Sequence, residues 1–192
     1  IGRLVLMDED QIELSNLNRQ ILHWEKDINS KKTESAKAKL KQLNSNIDID
    51  TVTTRINYEN LHQLKDVDLF VDALDNFETR YFLNRFCVEQ NIPLIHGAVE
   101  GLDGQITSIR PGGSPCLKCI FPHREEENSS FPILGTTAGI VGSLLANEAI
   151  KYFTGEGDVL YSKLLFLDFK NYNIDFLQYS SDEKCPVCGN SE

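Results

Sequence analysis

The sequence predicts an α/β fold whose mostly parallel sheet is continued by antiparallel strands, and three observations predict it. Short apolar runs alternate with amphipathic helical stretches through the first half of the chain, the pattern that parallel strands and crossover helices produce. The later strand-like runs follow one another almost without helices, as antiparallel neighbours do. Two Cys-x-x-C turns in the second half, Cys116–Cys119 and Cys185–Cys188, have the spacing of a four-cysteine zinc site.

The elements follow in order. Leu4–Met7, Ile47–Val52, Asp68–Leu74 and Pro93–Gly97 are apolar runs bounded by polar, glycine or proline punctuation, and each predicts a strand. Between them, Thr33–Leu43 predicts a helix with Ala36, Leu40 and Leu43 on one face. Asn57–Lys65 predicts a short helical piece, and Glu78–Gln90 a helix with Phe82, Leu83, Phe86 and Cys87 on its core face. Gln105–Ile109, Leu164–Phe169 and Ile174–Leu177 predict the later strands. A long helix from Thr136 to Phe153 interrupts them, rich in small residues (Gly139, Gly142, Ser143, Ala146, Ala149) that let another element approach closely. The run from His123 to Ser130, with Glu125, Glu126 and Glu127 together, predicts a solvated, mobile loop. No internal repeat is visible.

Composition bounds the function. The 192 residues are 41% apolar and 25% charged, ordinary for a single globular domain spanning 1–192. Nineteen Lys and Arg against 29 Asp and Glu give a net charge of −10, which argues against a surface built to grip nucleic acid, so any anion site must be assembled locally. With no apolar run near the ~20 residues of a membrane span and no signal-peptide pattern, the expected compartment is the cytoplasm and no membrane partner is expected.

Three stretches carry chemistry. Asp8 stands at the end of a strand, where an acid commonly holds a nucleotide ribose; a plain acidic turn of Asp8, Glu9 and Asp10 is the alternative. Downstream, Asn16, Arg19, Gln20 and Lys32 offer what a triphosphate needs, namely cations plus amide donors, and the helix after Lys32 turns its positive end toward an anion there. Lys31 and Lys32 fit surface charge equally well. Asp75 follows another strand and can hold Mg²⁺ beside phosphates, or it caps the next helix with Glu78 completing a capping box.

Four thiolates in two Cys-x-x-C pairs suit tetrahedral zinc in a closed structural site, and the 65 residues between Cys119 and Cys185 mean that the metal would tie the chain's end to its middle. Cys87 lies on an apolar helix face and is expected in the core. His23, His62, His96 and His123 show no metal-ligand spacing.

Taken together, Asp8-x-Asp10, Ser15-Asn16-Leu17-x-Arg19-Gln20, Lys32, Asp75-Asn76 with Arg80, Gly104-Gln105-Ile106 and the two Cys-x-x-C pairs resemble the ubiquitin-activating-enzyme-like adenylyltransferases, nearest to the molybdopterin-synthase and thiamine-biosynthesis type. The resemblance implies a Rossmann-like fold and a reaction. The C-terminal glycine carboxylate of a small ubiquitin-like sulfur carrier ending in Gly-Gly attacks the α-phosphate of ATP, giving an acyl adenylate and pyrophosphate. By position, Asp8 would hold the ribose and Asn16, Arg19, Gln20 and Lys32 the phosphates. Asp75, beside Asn76, would hold Mg²⁺, and the four cysteines structural zinc. Arg19, Lys32 and Asp75 would be the catalytic set. Relatives of this type usually work as homodimers.

The chain departs from the family pattern twice. No G-x-G-x-x-G loop occurs, and its place would precede Ile1, so the chain is expected to be an enzyme truncated at its N-terminus, with part of the ATP site, which activity would require, lying before it. The stretch His123–Gly135, where relatives that pass the acyl group to sulfur carry a cysteine, has none, so adenylation without a covalent transfer step is expected. Three other readings fit some of the residues. One is adenylation of an amino-acid or peptide carboxylate, another a nicotinamide-dependent oxidoreductase using Asp8, and the third a nucleotide-binding interaction module without catalysis.

Overall fold

The computed structural model describes residues 1–123 and 132–189, and divides into two compact units, Ile1–Asn60 and Leu61–Glu192. In the first unit, β1 (Arg3–Met7) and β2 (Asp48–Val52) pair in parallel, with Leu4 opposite Ile49 and Leu6 opposite Thr51. The crossover helix α1 (Lys32–Leu43) joins them. Its inward face is narrower than the sequence pattern suggests. Thr33 and Ala36 are buried, and the Thr33 hydroxyl meets that of Thr53 at 2.9 Å, whereas Leu43 is 82% exposed. Leu43 shares the Ala36 face, seven residues on, but it is the helix's last residue, and its exposure shows that this end of the stripe extends past what the helix packs against.

The second unit holds a five-stranded sheet in the order β3 (Phe70–Asp72), β4 (Leu94–Glu100), β5 (Asp103–Ile109), β6 (Lys163–Asp168), β7 (Asn173–Gln178). β3 and β4 are parallel and every later pairing is antiparallel, as the helix-poor spacing of these runs implies. The Asn57–Lys65 stretch forms α2 (Tyr58–Leu61) and a 3-10 turn over His62–Leu64. Helix α3 (Phe77–Gln90) links β3 to β4. The Asn76 side chain caps its start by accepting the Thr79 N–H at 2.8 Å, and Asn91, in the left-handed region, ends it. Leu83, Phe86 and Cys87 are buried on α3 as the pattern predicts, but Phe82 sits at the margin of that face and is 43% exposed.

After the short helix α4 (Leu117–Ile120), helix α5 (Gly135–Thr154) lies on β4 and β5, and Gly155 at φ +72° stops it. Ile95, Ile106, Val141, Leu145, Ala149, Leu160, Leu165 and Leu167 form the core between helix and sheet. Ala149 therefore faces inward, while Gly139, Gly142, Ser143 and Ala146 face away from the sheet. Two strand glycines make the close approach possible. A Cβ on Gly97 would meet Leu145 Cδ1 at 2.7 Å, and one on Gly104 would meet Val141 Cγ2 at 2.6 Å. Glu148, buried on the same helix, accepts the Ser108 hydroxyl and the Leu160 N–H, each at 2.9 Å, and pairs with Lys151, fixing α5 to β5. Most of the acidic loop from His123 lies outside the described residues.

Candidate functional site

In the first unit the acids and amides after β1 fold into a tight series of turns. Asp8 Oδ1 accepts the Asp10 N–H at 2.8 Å, which turns the chain sharply at the strand's carboxyl end. Lys32, at the start of α1, is brought back to the same turn: its N–H reaches the Asp10 carbonyl at 3.1 Å. Its Nζ lies 2.7 Å from Asp10 Oδ2 and 3.8 Å from Asp8 Oδ2. Lys32 thus stands beside both carboxylates, with Asp10 as its nearer ion-pair partner, a pairing that the sequence does not reveal. Lys31 turns elsewhere, donating to the Glu9 carbonyl at 2.7 Å.

Asn16 is buried, and its side chain serves its own turn by accepting the Glu13 N–H at 3.1 Å. Arg19 folds along the same turn, bonding the Ser15 carbonyl at 3.1 Å and Asn18 Oδ1 at 2.9 Å. Gln20 stacks onto this turn through its backbone, while its buried Oε1 has no hydrogen-bond partner among the described residues. Residues 8–32 therefore supply two cationic groups and several amides that can donate to phosphates, and a carboxylate at a strand end that can accept from ribose hydroxyls.

In the second unit, Asp75 is exposed just beyond β3 and its Oδ1 meets Asn76 Nδ2 at 3.2 Å. Asn76, and not Asp75, is the helix cap, which spends the Asn76 Oδ1 on Thr79 and leaves the Asp75 carboxylate outside the helix's own hydrogen bonding. Behind this loop lies a buried ionic group. Asp72, the last residue of β3, has its Oδ2 2.6 Å from His96 Nδ1 and 3.5 Å from Arg80 Nε. Arg80 also donates to the Leu74 carbonyl and, at 3.4 Å, to that of Gly97, so its guanidinium ties the β3–α3 loop to β4. Burial holds His96 below the ordinary imidazole value despite the pull of Asp72 in the other direction. The Asp72–His96 pair escapes a sequence search because it depends on parallel register, which sets Asp72 beside His96 across 24 residues of chain. Burial likewise pushes the Cys87 thiol upward, as a core cysteine's should be.

The four other cysteines converge. Their sulfurs all lie within 4.8 Å of one another, with Cys116 to Cys185 at 3.7 Å and Cys119 to Cys188 at 3.4 Å. Tetrahedral zinc with Zn–S near 2.3 Å requires sulfurs about 3.8 Å apart, whereas a disulfide requires about 2.05 Å, so the set fits a metal ion and not bridges. Burial pushes the Cys116 thiol up to about 11. Burial also opposes ionising Cys185, yet the backbone N–H groups of Cys188 and Val187, together with the Cys119 and Cys116 thiols, outweigh it and bring that thiol down to about 7. Such N–H groups aimed at sulfur are what a bound thiolate needs.

The chain is similar to known proteins over most of its length. SAMP-activating enzyme E1 of Haloferax volcanii is 39% identical over 195 residues, covering 98% of this chain and 72% of that protein. Adenylyltransferase and sulfurtransferase MOCS3 of Anopheles gambiae is 40% identical over 174 residues, covering 88% of this chain and 40% of that one. Among solved structures, E. coli MccB with MccA-N7isoASN superposes with a TM-score of 0.90 at 27% identity over 99% of this chain, and MccB with ATP with a TM-score of 0.88 at 26% over 98%. The chain spans about 60% of the MccB chain. The named relatives are adenylyltransferases and activating enzymes, the enzyme class that the phosphate-suited turns suggest. The ThiF family model matches residues 1–187, nearly the whole length over which these turns, strands and cysteines are laid out, and the chain belongs to the ThiF family.

Proposed function

We propose that the protein adenylates the C-terminal glycine carboxylate of a ubiquitin-like carrier protein, at the expense of ATP. A carboxylate oxygen of the carrier forms a bond to the α-phosphorus of ATP, and the bond from that phosphorus to the bridging oxygen breaks. Pyrophosphate leaves with the electron pair, so no proton has to be moved. The observation that carries the reading is the Asp8–Asp10–Lys32 turn followed by Asn16, Arg19 and Gln20, in a chain whose relatives include an enzyme named for activating SAMP.

Both reactants are anionic, so the residues' main task is electrostatic. Lys32 and Arg19 would offset phosphate charge, Asn16 and Gln20 would supply oriented amides, and Asp8 would bind the ribose hydroxyls. The exposed Asp75, flanked by Asn76, fits a Mg²⁺ ligand, and Mg²⁺ held there would help to neutralise phosphate charge. Residues 1–192 would act as one adenylating domain, with zinc at the four cysteines as a structural metal. Among the described residues no helix is long and apolar enough to cross a membrane, and we assign the protein to the cytoplasm. With no cysteine between His123 and Gly135, the acyl adenylate would be the product released by this chain. The outward face of α5, lined by Thr136, Gly139, Ile140 and Ser143, would be the surface of a homodimer.

A second reading, adenylation of a peptide or amino-acid carboxylate, is favoured by the likeness to MccB solved with MccA. ATP–pyrophosphate exchange separates the two. The first reading expects exchange that rises with a Gly-Gly carrier and falls when its last glycine is removed. Exchange driven by short peptides but indifferent to the carrier would replace it with the second.

A further inference from the structure

Asn84 lies in the middle of α3 and is completely buried. Its two ends meet different fates. Oδ1 accepts the Leu117 N–H at 2.9 Å, which fixes the peptide immediately following Cys116 and orients the amide group. Nδ2 is buried without a hydrogen-bond partner among the described residues. Leaving such a donor unsatisfied carries a desolvation penalty that an apolar residue would avoid. Cys116, whose following peptide N–H is the one that Oδ1 holds, is itself fully buried.

A divalent metal held by four thiolates carries a net charge of −2, and a buried site of that charge has to be surrounded by donors. Backbone N–H groups of Val187 and Cys188 serve Cys185 in this way. We propose that Asn84 Nδ2 donates a hydrogen bond to the Cys116 sulfur when the four cysteines hold a metal ion, making Asn84 a positioning residue of the metal centre. The amide then uses both ends: one fixes the Cys-x-x-C turn and the other lowers the charge density on its first sulfur. The same helix is capped by Asn76 and carries Arg80, so the metal site is joined through α3 to the loop bearing Asp75.

The test uses the whole chain, ¹⁵N-labelled and loaded with ¹¹³Cd²⁺. A hydrogen bond from nitrogen to a cadmium-bound sulfur transmits scalar coupling from the proton to the metal. The expected result is a proton–cadmium correlation from the Asn84 side-chain amide. Asn84→Leu, which also removes the Oδ1 bond, should release zinc to a chelator about 10-fold faster or more. In its Co²⁺ form the sulfur-to-metal charge-transfer band should move to lower energy. Cadmium coupling to backbone amides at these sulfurs with none to Asn84 overturns the proposal, and so does an Asn84→Leu protein whose charge-transfer band and zinc release match the wild type. If Asn84→Leu fails to fold, the coupling experiment on the wild type decides alone.

Discussion

His96 Nδ1 lies 2.6 Å from Asp72 Oδ2 inside the five-stranded sheet, and neither side chain reaches solvent. With Arg80 Nε 3.5 Å from the same oxygen, this carboxylate is the centre of a buried charged group and not a reactant. Removing it leaves a guanidinium buried without its counter-charge. Asp72→Ala should therefore destabilise the protein by about 3–5 kcal/mol, measured by urea unfolding.

The same pair gives stability a pH dependence. Burial lowers the His96 pKa in the folded state, so below the unfolded-state value of about 6.5 the unfolded chain takes up a proton that the folded one does not. Stability should fall as pH drops from about 7 toward 5, by up to about 1.4 kcal/mol per unit. His96→Asn, which keeps a donor toward Asp72 and cannot titrate, should flatten the part of the profile due to His96. His23 is also lowered, by burial and then by Lys39, so some slope should survive in the variant.

How much of this was legible in the sequence follows from the range of the interactions. The strands, α1, α3 and α5 were visible because apolar periodicity is local, and the four-cysteine site because two short spacings announce it. Leu43 and Phe82 misled because each belongs to an apolar stripe whose edge is set by what the helix packs against, and no helix sequence states that. The cap at Asn76 instead of Asp75 is a shift of one residue between two residues that cap equally well. Asp72 and His96 were invisible as a pair, since only strand register brings them together.

Asp75 should behave in the opposite way to Asp72. It is exposed and does not cap α3, so Asp75→Asn should change stability by no more than about 0.5 kcal/mol. If it holds Mg²⁺ as proposed, ATP–pyrophosphate exchange should fall by about 100-fold or more. Unfolding curves and exchange assays on one preparation check both halves.

Metal removal should loosen the end of the chain. Cys185 and Cys188 join the 182–189 turn to Cys116 and Cys119, 69 residues earlier in each pair. A chelator, or Cys185→Ser, should lower the thermal midpoint and open the final turn to proteolysis. Metal analysis should find one zinc per chain before treatment.

Gly104 tests whether the family-like Gly104-Gln105-Ile106 run is a packing feature. It belongs to β5 directly under α5, where an added methyl would stand 2.6 Å from Val141 Cγ2 and 3.5 Å from Leu167 Cδ1. Val141 is β-branched, on a helix and buried, so it has little freedom to move aside. Gly104→Ala should cost about 1–3 kcal/mol by overpacking. Val141→Ala alone should also destabilise, by leaving a void. Combined, the new methyl occupies the space that the valine vacates, so the double variant should be more stable than the two losses added together, by about 0.5–3 kcal/mol in a double-mutant cycle. Strict additivity would mean that α5 can shift on the sheet, and that the glycine is not what sets its distance.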